Sequence, residues 1–250
     1  LDVVLSTGEQ LHLEELNSGE LDSKCARDDR EGEIYRTVCD LVRRHRGLIQ
    51  EKFPDVPRRS GGYTIDALLD EDHFNLAKLV VGSEGTLAFT TGAKVNLEKI
   101  PAVRMIAVLH FERLVQAIDA VKFILRYRPT AVEIIDQHGL RLSRSNPEAS
   151  RLVKHFVSGD PEAVLMVEFS GATSPEIEDL FQRMKADQEL RALSYHVHEA
   201  WTPAEQAIVW GVRKNALGLM LGMKGDAKPL PFIEDACIPV QHLSTYIREV

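Results

Sequence analysis

The chain has 250 residues, 44% of them hydrophobic, with 38 acidic and 30 basic side chains and a formal net charge of −8. That length and apolar content can bury a sizeable core in one large domain or two smaller ones. The acidic balance and a pI near 5.6 argue against a generic nucleic-acid surface, which concentrates Lys and Arg against phosphate.

Cys25, Cys39 and Cys237 form an odd, widely spaced set that fits neither a disulfide framework nor a CxxC metal site, so a reducing cytoplasmic compartment is expected. No apolar run approaches the ~18 to 20 residues that cross a bilayer, and no basic leader with an apolar stretch opens the chain. A soluble globular protein is expected. The chain opens within an apparent strand, Leu1 to Leu5, and stops within an apparent helix, Leu243 to Val250, and is read as an internal segment.

In chain order, residues 1 to 5 and 10 to 13 are apolar runs separated by Ser6-Thr7-Gly8-Glu9 and read as paired strands. Ile34, Val38, Leu41 and Val42 recur at helical spacing, predicting a helix over about Arg30 to Arg46. Pro54, Pro57 and the Gly61-Gly62 pair mark a loop. Leu79-Val80-Val81, the turn Gly82-Ser83-Glu84-Gly85 and the Thr- and Val-rich stretch Thr86 to Val95 read as strand, tight turn, strand. Pro101 falls at a domain boundary, dividing the chain into 1–100 and 101–250.

Beyond it, Met105 to Phe111 is strand-like, and Leu114 to Leu125 carries an apolar helical face. Val132 to Ile135 and Ala163 to Phe169 are strand candidates. Ile177, Leu180, Phe181 and Met184 line a helix, and Leu193 to His198 closes the series. Strand, helix, strand, strand, helix, strand is the split βαβ order of a ferredoxin-like α+β domain, with helices covering one face of an antiparallel sheet. A further helix is predicted over Pro203 to Leu221, with Thr202 as N-cap and Pro203 at its first position.

Three clusters could carry chemistry. The two glycines of Gly82-Ser83-Glu84-Gly85-Thr86 let the backbone turn tightly and approach a flat or anionic ligand, although such a turn is more often structural. Arg213 and Lys214, followed by Lys224 and Lys228 in a Gly/Pro loop, could clamp a carboxylate, Arg through its planar fork and Lys as a compact charge; solvated surface cations are the plain alternative. His196 and His198 share a face if they lie on a strand, but without a third ligand no metal site is expected. The pair Glu234-Asp235 reads as the rim of a strand. No Gly-x-Ser-x-Gly elbow, P-loop or complete Gly-x-Gly-x-x-Gly fingerprint occurs.

Taken together, Leu1 to Glu9, Gly62-Tyr63, Gly82 to Ala88, Trp210 to Arg213 and Glu234 to Pro239 resemble, in order, the FAD-linked oxidases of the vanillyl-alcohol-oxidase superfamily. The likeness lies in the D-lactate, glycolate and D-2-hydroxyglutarate dehydrogenase branch. The stretch Met223 to Pro229 is similar to large members that append an iron-sulfur domain. The resemblance implies a partial FAD-binding α+β subdomain followed by a ferredoxin-like substrate cap. It implies FAD contacts at Gly82, Ser83, Glu84, Gly85 and Thr86, and a substrate-carboxylate role for Arg213. Lys228 stands at the spacing of a second substrate-binding cation, with Lys224 competing for that role. Arg59 and Leu217 depart from the family pattern, where Asn and a polar residue are common, so the resemblance leaves the particular acid open.

The implied reaction is oxidation of a small D-2-hydroxy acid to the 2-oxo acid by hydride transfer to FAD. The phosphate-binding loop is expected ahead of Leu1 and the catalytic base, a His, beyond Val250, so the segment alone is expected to be inactive and colourless. Two other readings stand beside this one. Residues 101–250 could form a docking or homodimerisation module without its own catalysis, or the flavoenzyme could act on a non-acid alcohol.

Overall fold

The computed structural model describes residues 1–56, 62–222 and 236–250, apart from the side chains at 216, 217, 220 and 221. The chain divides into two compact units, the first Leu1–Glu98 and the second beginning at Lys99 and including Ile238–Val250.

In the first unit, β1 (Asp2–Val4) pairs antiparallel with β2 (Gln10–His12), as the turn cluster between them predicts. A short helix α1 (Ser18–Cys25) follows, started by a capping box. The Asn17 side chain accepts the Glu20 N–H at 3.0 Å, and the Glu20 carboxylate accepts the Asn17 N–H at 2.9 Å. The long helix α2 (Arg30–Lys52) begins at Asp29, which accepts the Gly32 N–H at 3.0 Å. Glycine is needed at position 32, since a Cβ there would sit 2.1 Å from the Arg27 carbonyl oxygen.

The expected strand at Leu79-Val80-Val81 is corrected by the structure. Its first two residues lie in a one-turn helix α3 (Ala77–Val80), and the strand after the glycine turn is β3 (Phe89–Gly92), shorter than Thr86 to Val95. The Asn75 side chain accepts the Ala77 N–H at 2.9 Å and initiates the turn of helix. A three-residue apolar run has no period with which to separate strand from buried helix. The sheet order is β2-β1-β3. Val3, Leu13, Leu16, Leu21, Tyr35, Cys39, Leu68 and Phe74 form the core beneath it.

The second unit is built on β4 (Val103–Phe111), followed by α4 (Leu114–Ile124), β5 (Ala131–Asp136), α5 (Gln137–Ser145) and α6 (Pro147–Phe156). Then come β6 (Ala163–Gly171), α7 (Ser174–Ala186), α8 (Gln188–Leu193) and β7 (His196–Ala200). Two helices, α9 (Pro203–Leu221) and α10 (Val240–Glu249), complete it. The sheet is wholly antiparallel in the order β5-β6-β4-β7, the ferredoxin-like arrangement of an α+β fold.

The expectation that helices cover one face is corrected. Met105, Ala107, Leu109 and Phe111 of β4 pack under α4, α7 and α8, while Ile106 and Val108 meet Leu140, Val153, Phe156, Val209 and Val212 of α5, α6 and α9. Burial on both faces explains why β4 and β6 read as continuous apolar runs instead of alternating. Helices α5 and α6 fill the stretch between β5 and β6. Asp136 accepts the Gly139 N–H at 2.8 Å, and Asn146 accepts the N–H groups of Glu148 and Ala149, each at 3.0 Å. Helix α9 starts where Thr202 and Pro203 predict, with Thr202 and Glu205 exchanging side chain to backbone hydrogen bonds. Among the described residues, no helix is long and apolar enough to cross a membrane.

Candidate functional site

The glycine turn lies in the first unit, and Arg213 and the His196/His198 pair lie in the second. In the first unit, Gly82-Ser83-Glu84-Gly85-Thr86 links α3 to β3. Gly82, Glu84 and Gly85 have φ of 82°, 53° and 75°, so three of five residues occupy the left-handed region that glycine tolerates and other residues rarely enter. The turn is held from within. The Ser83 N–H donates to the Val80 carbonyl and the Thr86 N–H to the Ser83 carbonyl, each at 3.0 Å, and the Thr86 hydroxyl reaches the same Ser83 oxygen at 2.6 Å.

Only Ser83 is buried, so its side chain belongs to the support of the turn; Gly82, Glu84, Gly85 and Thr86 are exposed. No heavy atom lies within 4 Å of a Cβ built on Gly82 or Gly85. The backbone therefore presents an open surface that a flat ring or an anion can approach closely. The structure also brings a second motif to this place, since the Tyr63 hydroxyl lies 2.8 Å from the Thr86 hydroxyl, 23 residues away in sequence. Val81, just before the turn, lines a recess of about 940 Å³ together with Thr64, Lys78 and Lys94. Sequence reasoning passed over the last three. Single polar residues in three different segments leave no local signal.

In the second unit, Arg213 lies on α9 and its Nε donates to Glu133 Oε2 of β5 at 2.9 Å. Three residues earlier on the same helix face, Trp210 Nε1 donates to Glu168 Oε2 of β6 at 3.1 Å. Ala131 pairs with Glu168 and Glu133 with Met166, which places both carboxylates on the sheet face covered by α9. The Arg213 and Glu133 side chains are 43% and 39% exposed, and at that exposure an ion pair contributes only about 0 to 1 kcal/mol to stability. The guanidinium is thus held through Nε, and among the described residues its two terminal nitrogens make no hydrogen bond. Arg213 borders a recess of about 370 Å³ whose other walls include Leu114, Ile118, Ile134, Ile247 and the acidic Asp136. Arg213 can meet a carboxylate there and the aliphatic walls a short carbon skeleton, while Asp136 adds a negative group to the same lining. Lys224, Lys228, Arg59 and the pair Glu234-Asp235 lie outside the described residues.

His196 and His198 do share a face of β7, across from His110 and Val108 of β4. His110 is wholly buried, with Nδ1 3.0 Å from the Val108 carbonyl and Nε2 3.0 Å from the Phe156 carbonyl and 3.1 Å from the Ser158 nitrogen. Its ring lies 4.9 Å from that of His196. Burial, and secondarily the neighbouring His196, push the His110 imidazole down to about 4, and burial lowers His198 as well. Among the described residues, no group of three or more His, Cys, Asp or Glu side chains is placed to hold a metal ion.

The comparisons with known proteins converge on one family. Residues 100–250 match the family described as FAD linked oxidases, C-terminal domain. The whole chain aligns at 28% identity over 258 residues with a D-2-hydroxyglutarate dehydrogenase of Pseudomonas putida, covering 25% of that protein. A D-2-hydroxyglutarate dehydrogenase of Escherichia coli is 30% identical over 230 residues, which is 87% of this chain and 22% of the relative. The glycolate oxidase subunit GlcD of the same organism is 31% identical over 173 residues, 68% of this chain and 32% of the relative. The chain thus spans about a quarter of the length of the first two relatives. With the match covering more than half of its residues, and with an antiparallel ferredoxin-like sheet at its centre, the chain belongs to the FAD-linked oxidase family.

Proposed function

We propose that this chain is part of an FAD-dependent dehydrogenase that oxidises a D-2-hydroxy acid, such as D-2-hydroxyglutarate, D-lactate or glycolate, to the corresponding 2-oxo acid. Residues 1–100 are assigned to the FAD-binding domain and 101–250 to the substrate cap, in a cytoplasmic enzyme. The observation that carries the reading is the state of Arg213. Its Nε is fixed by Glu133 while its terminal nitrogens make no hydrogen bond among the described residues, beside a small recess walled mostly by aliphatic side chains together with Asp136. A fork held in that way suits bidentate binding of a carboxylate.

The flavin, when bound, accepts the hydride that leaves C2 of the acid. The exposed turn, with open space at Gly82 and Gly85, fits the edge of a flat cofactor, and Gly82, Ser83, Glu84, Gly85 and Thr86 are assigned to hold it. Arg213 fixes the substrate carboxylate and so orients the C2–H bond, with Lys228 or Lys224 as the second cation. The hydroxyl proton passes to a base, for which no residue of this chain is assigned.

The test is Arg213→Ala in the FAD-loaded enzyme, with anaerobic loss of visible flavin absorbance on adding each acid. One acid is expected to bleach the wild type. The variant should require roughly 10- to 150-fold more of it, the equivalent of losing a charged hydrogen-bonding pair. An unchanged KM would remove Arg213 from the substrate site, and bleaching by a plain alcohol in place of the acids would change the substrate class.

A further inference from the structure

We infer that Glu133 is a positioning residue for the carboxylate-binding arginine, an inference that rests on the role of Arg213 proposed above. The juxtaposition is specific. Glu133 sits on the edge strand β5, 80 residues from Arg213, and accepts from Nε alone at 2.9 Å. That contact limits the rotation of the guanidinium plane and leaves its Nη1/Nη2 edge unused by Glu133.

A purely structural role for the pair is disfavoured by what anchors the helix. Val209 and Val212 of α9 are wholly buried against Ile106 and Val164, and Trp210 is tied to Glu168. The helix is therefore docked without Glu133, whose own side chain is 39% exposed. Its charge, moreover, opposes the binding of an anion at the same arginine. A carboxylate kept beside an anion site weakens that site by repulsion and strengthens it by orientation. These two effects have opposite signs and can be separated chemically.

Three variants separate them in the full chain. Glu133→Gln keeps an oxygen acceptor for Nε and removes the charge. Glu133→Asp keeps the charge and withdraws the acceptor by one methylene. Glu133→Ala removes both. The readout is the Arg213 Nε–H resonance in nitrogen-15 spectra, its order measured without ligand and its shift followed on titration with D-lactate and D-2-hydroxyglutarate. If Glu133 positions the fork, Gln leaves the side chain ordered and acid binding equal to or tighter than wild type. Asp and Ala then disorder it and weaken binding by about tenfold, the loss expected from one hydrogen bond to a charged group.

If Glu133 is only a neighbouring charge, Ala and Gln behave alike, both bind the acids more tightly, and Asp is unchanged; that pattern overturns the inference. Arg213→Ala, with acid binding followed by the anaerobic loss of visible flavin absorbance in the FAD-loaded enzyme, is the separate control. Loss of acid binding there with no effect of any Glu133 variant refutes the positioning role alone. Binding that survives Arg213→Ala, or acids that never shift the wild-type resonance, refute the carboxylate reading and the role of Glu133 with it. Because the readout is the arginine itself, even a destabilised Ala variant leaves the Gln and Asp comparison decisive.

Discussion

His110 makes the stability of the second unit depend on pH in a calculable way. In the folded chain its imidazole is held near 4, against 6.5 for a free histidine, chiefly because the ring is buried. Its Nδ1 and Nε2 each lie 3.0 Å from a backbone carbonyl, of Val108 and Phe156, contacts that only partly offset the cost of burying a charged ring. The folded value is depressed, so between the two values the unfolded chain binds the extra proton and the folded chain does not. Stability from this residue is therefore complete above about 6.5 and is lost as pH falls toward 4. From about pH 7.5 to about pH 5 the loss is about 2 kcal/mol. Both tryptophans, Trp201 and Trp210, belong to this unit, so urea unfolding followed by tryptophan fluorescence reports on it directly. His110→Gln should be less stable at the higher pH, having lost a fitted set of hydrogen bonds, yet nearly flat across the same interval. His198 stays in both proteins and cancels in the comparison. Equal pH losses in wild type and variant, or an imidazole carbon resonance titrating near 6.5, would refute the account.

The remaining predictions concern packing, backbone and thiols. Phe181→Ala should lower stability by about 3 to 5 kcal/mol in the same fluorescence assay, because the ring is fully buried and meets Trp201 edge-on at 5.9 Å. Phe89→Ala, at a position 73% exposed, should change stability, followed by circular dichroism, by less than about 0.5 kcal/mol. Gly85→Ala should cost about 1 to 2 kcal/mol in calorimetry because its φ is 75°, although open space surrounds it. Gly47→Ala, in the exposed helical run of α2 with equal open space, should instead stabilise by up to about 1 kcal/mol. The Cys39 thiol is pushed up to about 12 by burial and by Cys25, whose sulfur is 4.0 Å away, so Cys39 should stay unalkylated by iodoacetamide near pH 8 in peptide mass spectra until the chain unfolds.

How far the sequence carried these conclusions depended on the range over which each signal acts. The hairpin at residues 1 to 13 and helix α9 were legible because their turn and cap residues are neighbours in the chain. The ferredoxin-like order was legible because β4 and β6 are long apolar runs with helical spacing between them. Helix α5 carries few apolar residues and is announced mainly by its cap Asp136, whereas α6 was legible and passed over, with Asn146 and Pro147 at its start and Ala149, Leu152, Val153 and Phe156 at helical spacing. Missing them hid the second covered face. The one-turn helix α3 was misread because Leu79-Val80-Val81 is apolar for burial, with nothing in so short a run to distinguish the two backbones.

The candidate site divides along the same line. The glycine turn and Arg213 were legible because a backbone bend and a cation on a helix are properties of single segments. Their partners were not. Tyr63 reaches Thr86 across 23 residues and Glu133 reaches Arg213 across 80, pairings that exist only once the sheet register is set. This asymmetry bears on specificity. The cation proposed to meet a small acid can be read from the chain, but the carboxylate that holds its Nε comes from another strand. The carboxylate of Glu133 is half-exposed and adds little to stability, so selection for folding alone would tolerate its loss. On the positioning role inferred for Glu133, Glu133→Ala would leave the fold and the charge of Arg213 intact while loosening acid binding, whereas Glu133→Gln would not.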